Sequence, residues 1–199
     1  MATFLLGSAS PRRREILRTL GLRFEVAAVD ADESERPGEA PDAYLTRVVA
    51  AKLALAADRA RALGLDAVVV ADTTVVLDGR MLAKPVDRAD NRSMIAALAG
   101  REHEVMTRFA VRGPAGEVAR TVTTRVSFRP LTDTEIDGYA ASGEGLDKAG
   151  GYAIQGLGSF MVEAIAGSYS CVVGLPACEV AQALVAAGVI AGLPVQPER

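Results

Sequence analysis

The run Ala67-Val68-Val69-Val70-Ala71 constrains this chain most, because five apolar residues follow one another with no polar position between them. A strand with one wet face alternates apolar and polar residues, whereas an unbroken apolar run needs cover on both faces. The run is expected as a buried strand of an α/β sheet, with Asp72 at its C-terminal end. A helix is expected before it, from about Asp42 to Leu63, closed by Gly64. Beyond it, Thr74 to Leu77 continues extended, and Asp78-Gly79 signals a hairpin turn.

The remaining pattern fits around this strand. Thr3 to Leu6 reads as a first strand. Ser10 as N-cap and Pro11 at the first helical position open a helix to about Leu20, which ends at Gly21. Residues 29 to 41 are acidic and read as a loop. A short helix is expected over 88–99, and strands over 103–111 and 118–128. Thr132 with Glu135 forms a capping box. Residues 143 to 158 hold six glycines and read as loop. Strands are expected over 160–165 and 170–173, a final helix over 177–187, and a tail from about residue 193. Helices and strands alternate irregularly and one segment is rich in hairpins, so the expected fold class is α/β with a central mixed sheet flanked by helices. The 199 residues are half hydrophobic, which suits one domain over 1–199, with two lobes, and a sizeable core.

A formal charge of -3 argues against a nucleic-acid or membrane-surface binder, which is normally basic. No segment has the length of a membrane helix, and the N-terminus lacks the basic and long apolar regions of a signal peptide. Cys171 and Cys178 match no zinc spacing and read as buried thiols in a reducing cytoplasm. There are nineteen arginines but only Lys52, Lys84 and Lys148 as lysines. Lysine supplies a compact point charge that arginine does not copy, so each of the three bears examination.

Four places carry candidate chemistry. Ser8-Ala9-Ser10-Pro11-Arg12-Arg13-Arg14 puts hydroxyls and guanidinium groups at a strand-to-helix turn, where free N–H groups and the helix dipole favour an anion. That segment is either a phosphate cradle or a capped helix with a solvated basic face. Asp72, followed by Thr73 and Thr74, either binds a divalent metal or activates water, or else caps a turn. Lys52 interrupts the apolar stripe of Leu45, Val48, Val49 and Ala56. It must snorkel outward or meet an anion. Glu33, in the acidic loop Asp30-Ala31-Asp32-Glu33, is either a solvated surface group or an oxygen ligand for Mg²⁺. His103, the sole histidine, has no partner for zinc and is expected in a hydrogen-bonded structural role.

Taken together, these segments resemble the Maf family of nucleoside triphosphate pyrophosphatases from Leu6 to Gly188. The resemblance is carried by Ser8-Ala9-Ser10-Pro11-Arg12-Arg13, Glu33, Lys52, Ala71-Asp72-Thr73 and Lys84-Pro85. It continues through Gly100 with His103, Val105 and Thr107, then Asp147-Lys148-Ala149-Gly150, Ile154-Gln155-Gly156, Gly167-Ser168-Tyr169 and Val173-Gly174-Leu175-Pro176. No one piece is specific, whereas their order and spacing are, and all three lysines fall inside them. Gly7 and Ala153 depart from the family pattern, standing where an alanine and a glycine are expected.

The resemblance implies an α/β fold with a mixed sheet and a deep cleft between two lobes, a homodimer, and a divalent cation (Mg²⁺, Mn²⁺ or Co²⁺). It implies Asp72 as general base, Glu33 and Asp72 as metal ligands, and Ser8, Arg13, Lys52 and Lys84 as triphosphate contacts. It links Arg12, Thr73 and Gln155 to base choice, in the combination of the branch that hydrolyses dTTP and UTP rather than 7-methyl-GTP. The implied role is removal of surplus or modified nucleotides in the cytoplasm. The alternative is a nucleotide-binding regulator of division and septum formation without turnover, which would not need Asp72.

Overall fold

β-Branched residues on both sides of Asp72 keep the backbone extended well past the apolar run. In the computed structural model, which describes residues 4–194, one strand covers Val68–Leu77. Asp72 therefore lies inside a strand and not at its C-terminal end, because Thr73, Thr74, Val75 and Val76 all favour the pleated chain. The strand ends where Asp78 and Gly79, at φ 51° and 76°, make the expected tight turn. Both angles are the left-handed values that a two-residue hairpin requires.

The strands are β1 (Phe4–Leu6), β2 (Phe24–Val26), β3 (Val68–Leu77), β4 (Arg80–Leu82), β5 (Glu102–Gly113), β6 (Gly116–Phe128) and β7 (Val162–Ala166). The helices are α1 (Pro11–Thr19), α2 (Pro41–Ala62), α3 (Arg88–Leu98), α4 (Asp133–Ser142), α5 (Tyr169–Val173) and α6 (Ala177–Ala186). Hydrogen-bonded neighbours follow the order β2-β1-β3-β5-β6-β7, with β4 against β3. β1 is parallel to β2 and β3, while β3/β4 and β6/β7 are antiparallel, so the sheet is mixed as expected. No helix of the described residues is long and apolar enough to cross a membrane.

The chain divides into two compact units. One comprises the described residues through Asp72, Thr107–Thr121 and those from Gly174 on; the other comprises Thr73–Met106 and Val122–Val173. The first is built by α2 packing on β1 and β3. Leu5, Val49, Leu53, Ala56, Ala60, Val68, Val70 and Ala110 form one buried cluster there. Gly7 belongs to this packing: a Cβ on it would lie 2.8 Å from the Ala56 Cβ and 2.9 Å from Val70. The second unit buries Ile95, Leu98, Phe128, Tyr139 and Met161. In it the His103, Phe128 and Tyr152 rings meet edge to face, with centroids 4.8–5.4 Å apart.

The expected first strand begins at Phe4; Thr3, like the tail beyond Pro194, lies outside the described residues. The segment expected as a strand over 170–173 is the helix α5. Val172 and Val173 suggest a strand, but the Ser168 hydroxyl accepts from the Cys171 amide at 3.2 Å and starts a helical turn. Cys171 is buried as expected, whereas Cys178 is exposed near the start of α6. The short strand β2 had no sequence signal.

Candidate active site

Lys52 does not reach solvent. It is 6% exposed, and its ammonium lies 2.5 Å from Glu33 Oε1 and 2.7 Å from Asp72 Oδ1. The helix makes this unavoidable, because Val48, Val49 and Ala56 on the same face are buried against the sheet. A lysine on that stripe points inward, where the β3 carboxylate and the acidic loop offer it counter-charge. Asp72 is itself 7% exposed, while the Glu33 side chain is 42% exposed. One carboxylate is therefore fixed in a buried strand, and the other arrives on a loop open to water.

The turn after β1 faces the same place. Ser10 caps α1 by accepting from the Arg13 amide at 3.4 Å, and Pro11 occupies the first turn, so the expected helix start is observed. Arg13 then folds back. Its Nε donates to the Gly174 carbonyl at 2.8 Å, and one terminal nitrogen donates to the Ser8 hydroxyl at 3.2 Å. Burial pushes the Arg13 guanidinium below its ordinary value, while the Asp72 and Glu33 carboxylates pull it back up. Ser8, Arg13, Glu33, Lys52 and Asp72 thus share one electrostatic neighbourhood, and Arg12 is the residue before Arg13 on α1.

Two residues that shape this site were not singled out from the sequence. Tyr44 donates to the Glu33 carbonyl at 3.2 Å. Burial raises its phenol, and the Asp72 and Glu33 charges raise it further. Arg47, one turn later, donates to the Asp32 carbonyl (3.3 Å), the Ser34 carbonyl (2.9 Å) and both oxygens of Glu39 (2.7 and 2.6 Å). It also sits over the Tyr44 ring at 5.6 Å. Together they strap the loop that carries Glu33 to α2. The only hint was their i,i+3 spacing beside an acidic loop.

Thr73, Lys84 and Gln155 belong to the other unit. Thr73 is half-buried in β3, Lys84 is exposed after β4, and Gln155 is exposed in the glycine-rich loop. That loop contains two 3-10 turns, Ala149–Gly151 and Leu157–Met161. His103 is structural as expected: it is 2% exposed and pairs through Nε2 with the Tyr152 hydroxyl at 2.8 Å.

Among the described residues, no group of three or more Asp, Glu, His or Cys is placed to hold a metal. Glu33 and Asp72 are two hard oxygen donors that meet on the Lys52 ammonium. That set fits Mg²⁺ or Mn²⁺, which take one or two carboxylates and complete their shell with water and phosphate oxygens. It lacks the cysteine or histidine ligands around which zinc sites are built.

The family model described as "Maf-like protein" matches residues 3–187. A curated relative from Shewanella oneidensis named dTTP/UTP pyrophosphatase is 48% identical, over 94% of this chain and 98% of its own. One of the same name from Anaeromyxobacter dehalogenans is 49% identical, over 92% of this chain and 93% of its own. Among solved structures, the Staphylococcus aureus Ham1 protein is similar over 63% of this chain and 71% of its own, with a TM-score of 0.44 and 14% identity.

Proposed function

The chain belongs to the Maf family, and from that premise we propose that it hydrolyses dTTP and UTP to the nucleoside monophosphate and pyrophosphate. The observation that carries this reading is the meeting of Asp72, Glu33 and Lys52 beside Arg13 and Ser8. A buried carboxylate next to several fixed cations suits water activation beside a polyanion.

A nucleoside triphosphate brings about four negative charges, and its hydrolysis is helped chiefly by positioning and charge neutralisation. Arg13 is held by Gly174 and Ser8, so its guanidinium charge is fixed in the neighbourhood that phosphate oxygens would enter. Lys52 offers a compact charge from the floor of the site. Asp72, held by Lys52, orients the attacking water and takes its proton as the α–β phosphoanhydride bond breaks. The hydroxyl goes to one product and the leaving oxygen to the other, and Asp72 returns the proton to solvent. Glu33 and Asp72 would hold a divalent cation (Mg²⁺, Mn²⁺ or Co²⁺), which supplies charge neutralisation and polarisation of the phosphates.

In this reading Lys84 is a further phosphate contact. Arg12, Thr73 and Gln155 select the base, and a homodimer works in the cytoplasm; these points rest on the family resemblance. The Gln155 amide can meet N3–H and a carbonyl of uracil or thymine, and donor-only Arg12 favours O4 over the amino group of cytosine. The test is pyrophosphate release across a nucleotide panel. The expected order is dTTP and UTP first, CTP weak and standard purine triphosphates poor. Faster turnover of GTP or 7-methyl-GTP overturns the base assignment. Nucleotide binding without any release overturns the enzyme and favours the regulator.

A further inference from the structure

Gln155 stands on a loop that one carboxylate ties down, directly at residues 157 and 158 and through Tyr139 at residue 153. Glu144 Oε1 accepts the Leu157 amide at 2.7 Å, and Oε2 accepts the Gly158 amide at 2.8 Å. Oε2 also accepts the Tyr139 hydroxyl at 3.0 Å, and that hydroxyl oxygen in turn accepts the Ala153 amide at 3.1 Å. Residues 153, 157 and 158 are therefore held by one connected network that brackets Gln155 on both sides.

The backbone is cut to fit this carboxylate. A Cβ on Gly156 would lie 1.9 Å from Glu144 Oε1, so only glycine lets the chain pass so close. Burial alone would raise the Glu144 carboxyl, yet the Gly158 and Leu157 amides and the Tyr139 hydroxyl leave it below its ordinary value. It therefore stays an acceptor on every side at neutral pH. Tyr139 is 1% exposed in α4, so the far end of the network is fixed in the core. Gln155 itself is exposed. The segment thus holds its backbone rigid and leaves one amide side chain free to meet a ligand.

We propose that Glu144 is a positioning residue for base selection, acting through Gln155 and setting where its amide presents donor and acceptor. This rests on the reading that Gln155 meets the pyrimidine edge. A site that rejects a wrong base through hydrogen bonds depends on placement, and a loose supporting shell lets the mismatched base in.

The experiment compares kcat/KM for UTP and CTP in the full chain and four variants: Gln155→Ala, Glu144→Gln, Tyr139→Phe and the double variant Gln155→Ala/Glu144→Gln. Glu144→Gln keeps the shape but turns a donor toward one of the amides. Tyr139→Phe keeps the ring and removes only the hydroxyl that links Ala153 to Glu144. The UTP-over-CTP ratio is expected to fall by about tenfold in Glu144→Gln, the scale of a lost supporting contact. The fall should be carried by KM, with a smaller fall in Tyr139→Phe. In the Gln155→Ala background, Glu144→Gln should change the ratio no further. An unchanged ratio in Gln155→Ala overturns the base-reading role and this proposal with it. A collapsed ratio in Gln155→Ala with a preserved one in both Glu144→Gln and Tyr139→Phe overturns the proposal alone. An equal loss on every nucleotide that tracks a lowered melting temperature also overturns it, since that marks a purely structural carboxylate.

Discussion

Replacing Lys52 by methionine keeps the length of the side chain and removes the one ammonium between Glu33 and Asp72. Losing one partner of a buried ion pair costs ~3–5 kcal/mol, because the remaining charge is stranded away from water. The two carboxylates do not suffer equally. Asp72 is 7% exposed and has little access to solvent. The Glu33 side chain is 42% exposed, so water takes over its charge and its share is discounted. The low end, ~3 kcal/mol, is therefore expected, and at this chain length it corresponds to a fall of ~6–12 °C in Tm. Adding Asp72→Asn to Lys52→Met removes the stranded charge and should recover much of the loss, although each single change is destabilising. Mg²⁺ gives an independent readout. Two carboxylates without their lysine attract a divalent ion more strongly, so millimolar Mg²⁺ should raise the Tm of Lys52→Met more than that of the parent. Thermal melts by circular dichroism, with and without Mg²⁺, make the comparison. If Lys52→Met melts within ~2 °C of the parent, the lysine is not a buried counter-charge and the reasoning fails.

Asp72→Asn should lower kcat by about 100-fold, on the scale of a lost general base, with the circular dichroism spectrum retained; near-parental turnover would remove Asp72 from the role. EDTA should abolish pyrophosphate release and Mg²⁺ or Mn²⁺ restore it, whereas full activity in metal-stripped protein would sink the assignment of Glu33 and Asp72 as ligands. Arg47→Ala should loosen the loop bearing Glu33, raising the Mg²⁺ concentration needed for half-maximal rate several-fold more than it lowers kcat; an unchanged Mg²⁺ dependence would show that the strap does not serve the site. Burial pushes His103 down to about 4 from its ordinary 6.5, so the unfolded chain binds a proton in that window and the folded one does not. Stability is lost as pH falls from 6.5 to about 4, by ~3 kcal/mol at most, and is flat with respect to this group above 6.5. Urea midpoints of the parent and His103→Gln should converge across that window; parallel curves would refute the shift.

The sequence was most legible where local chemistry decides local structure. Ser10-Pro11 opens α1, Asp78-Gly79 turns the chain, and Thr132 with Glu135 forms the capping box. Each works through atoms within a few residues of one another. Legibility failed where the deciding partner is distant or the element is too short to show a period. β2 has only three residues, two of them exposed, and exists because β1 lies parallel to it. In α5, a single hydroxyl on Ser168 outweighs the strand preference of two valines. Asp72 was placed correctly against the apolar run, but its strand runs on because the residues after it are β-branched.

The candidate site follows the same division, and its most useful clue was a local rule broken. Lys52 stands on a buried helical stripe and Asp72 in a buried strand, each costly alone. Two such violations in one chain are relieved together if they meet, and they do, at 2.7 Å. Sequence left Lys52 to snorkel or meet an anion and Asp72 to bind metal, activate water or cap a turn, and could not pair them, since 20 residues separate them. The same logic bears on Glu33, which could have stayed a solvated surface group. Tyr44 and Arg47 hold its loop against α2 with hydrogen bonds that a merely solvated loop does not need. A loop held at that entropic cost, so that one carboxylate reaches a buried ammonium already paired with Asp72, adds little stability through a partly exposed ion pair; in the proposed function the same carboxylate would hold the cation that offsets the charge of a polyanion.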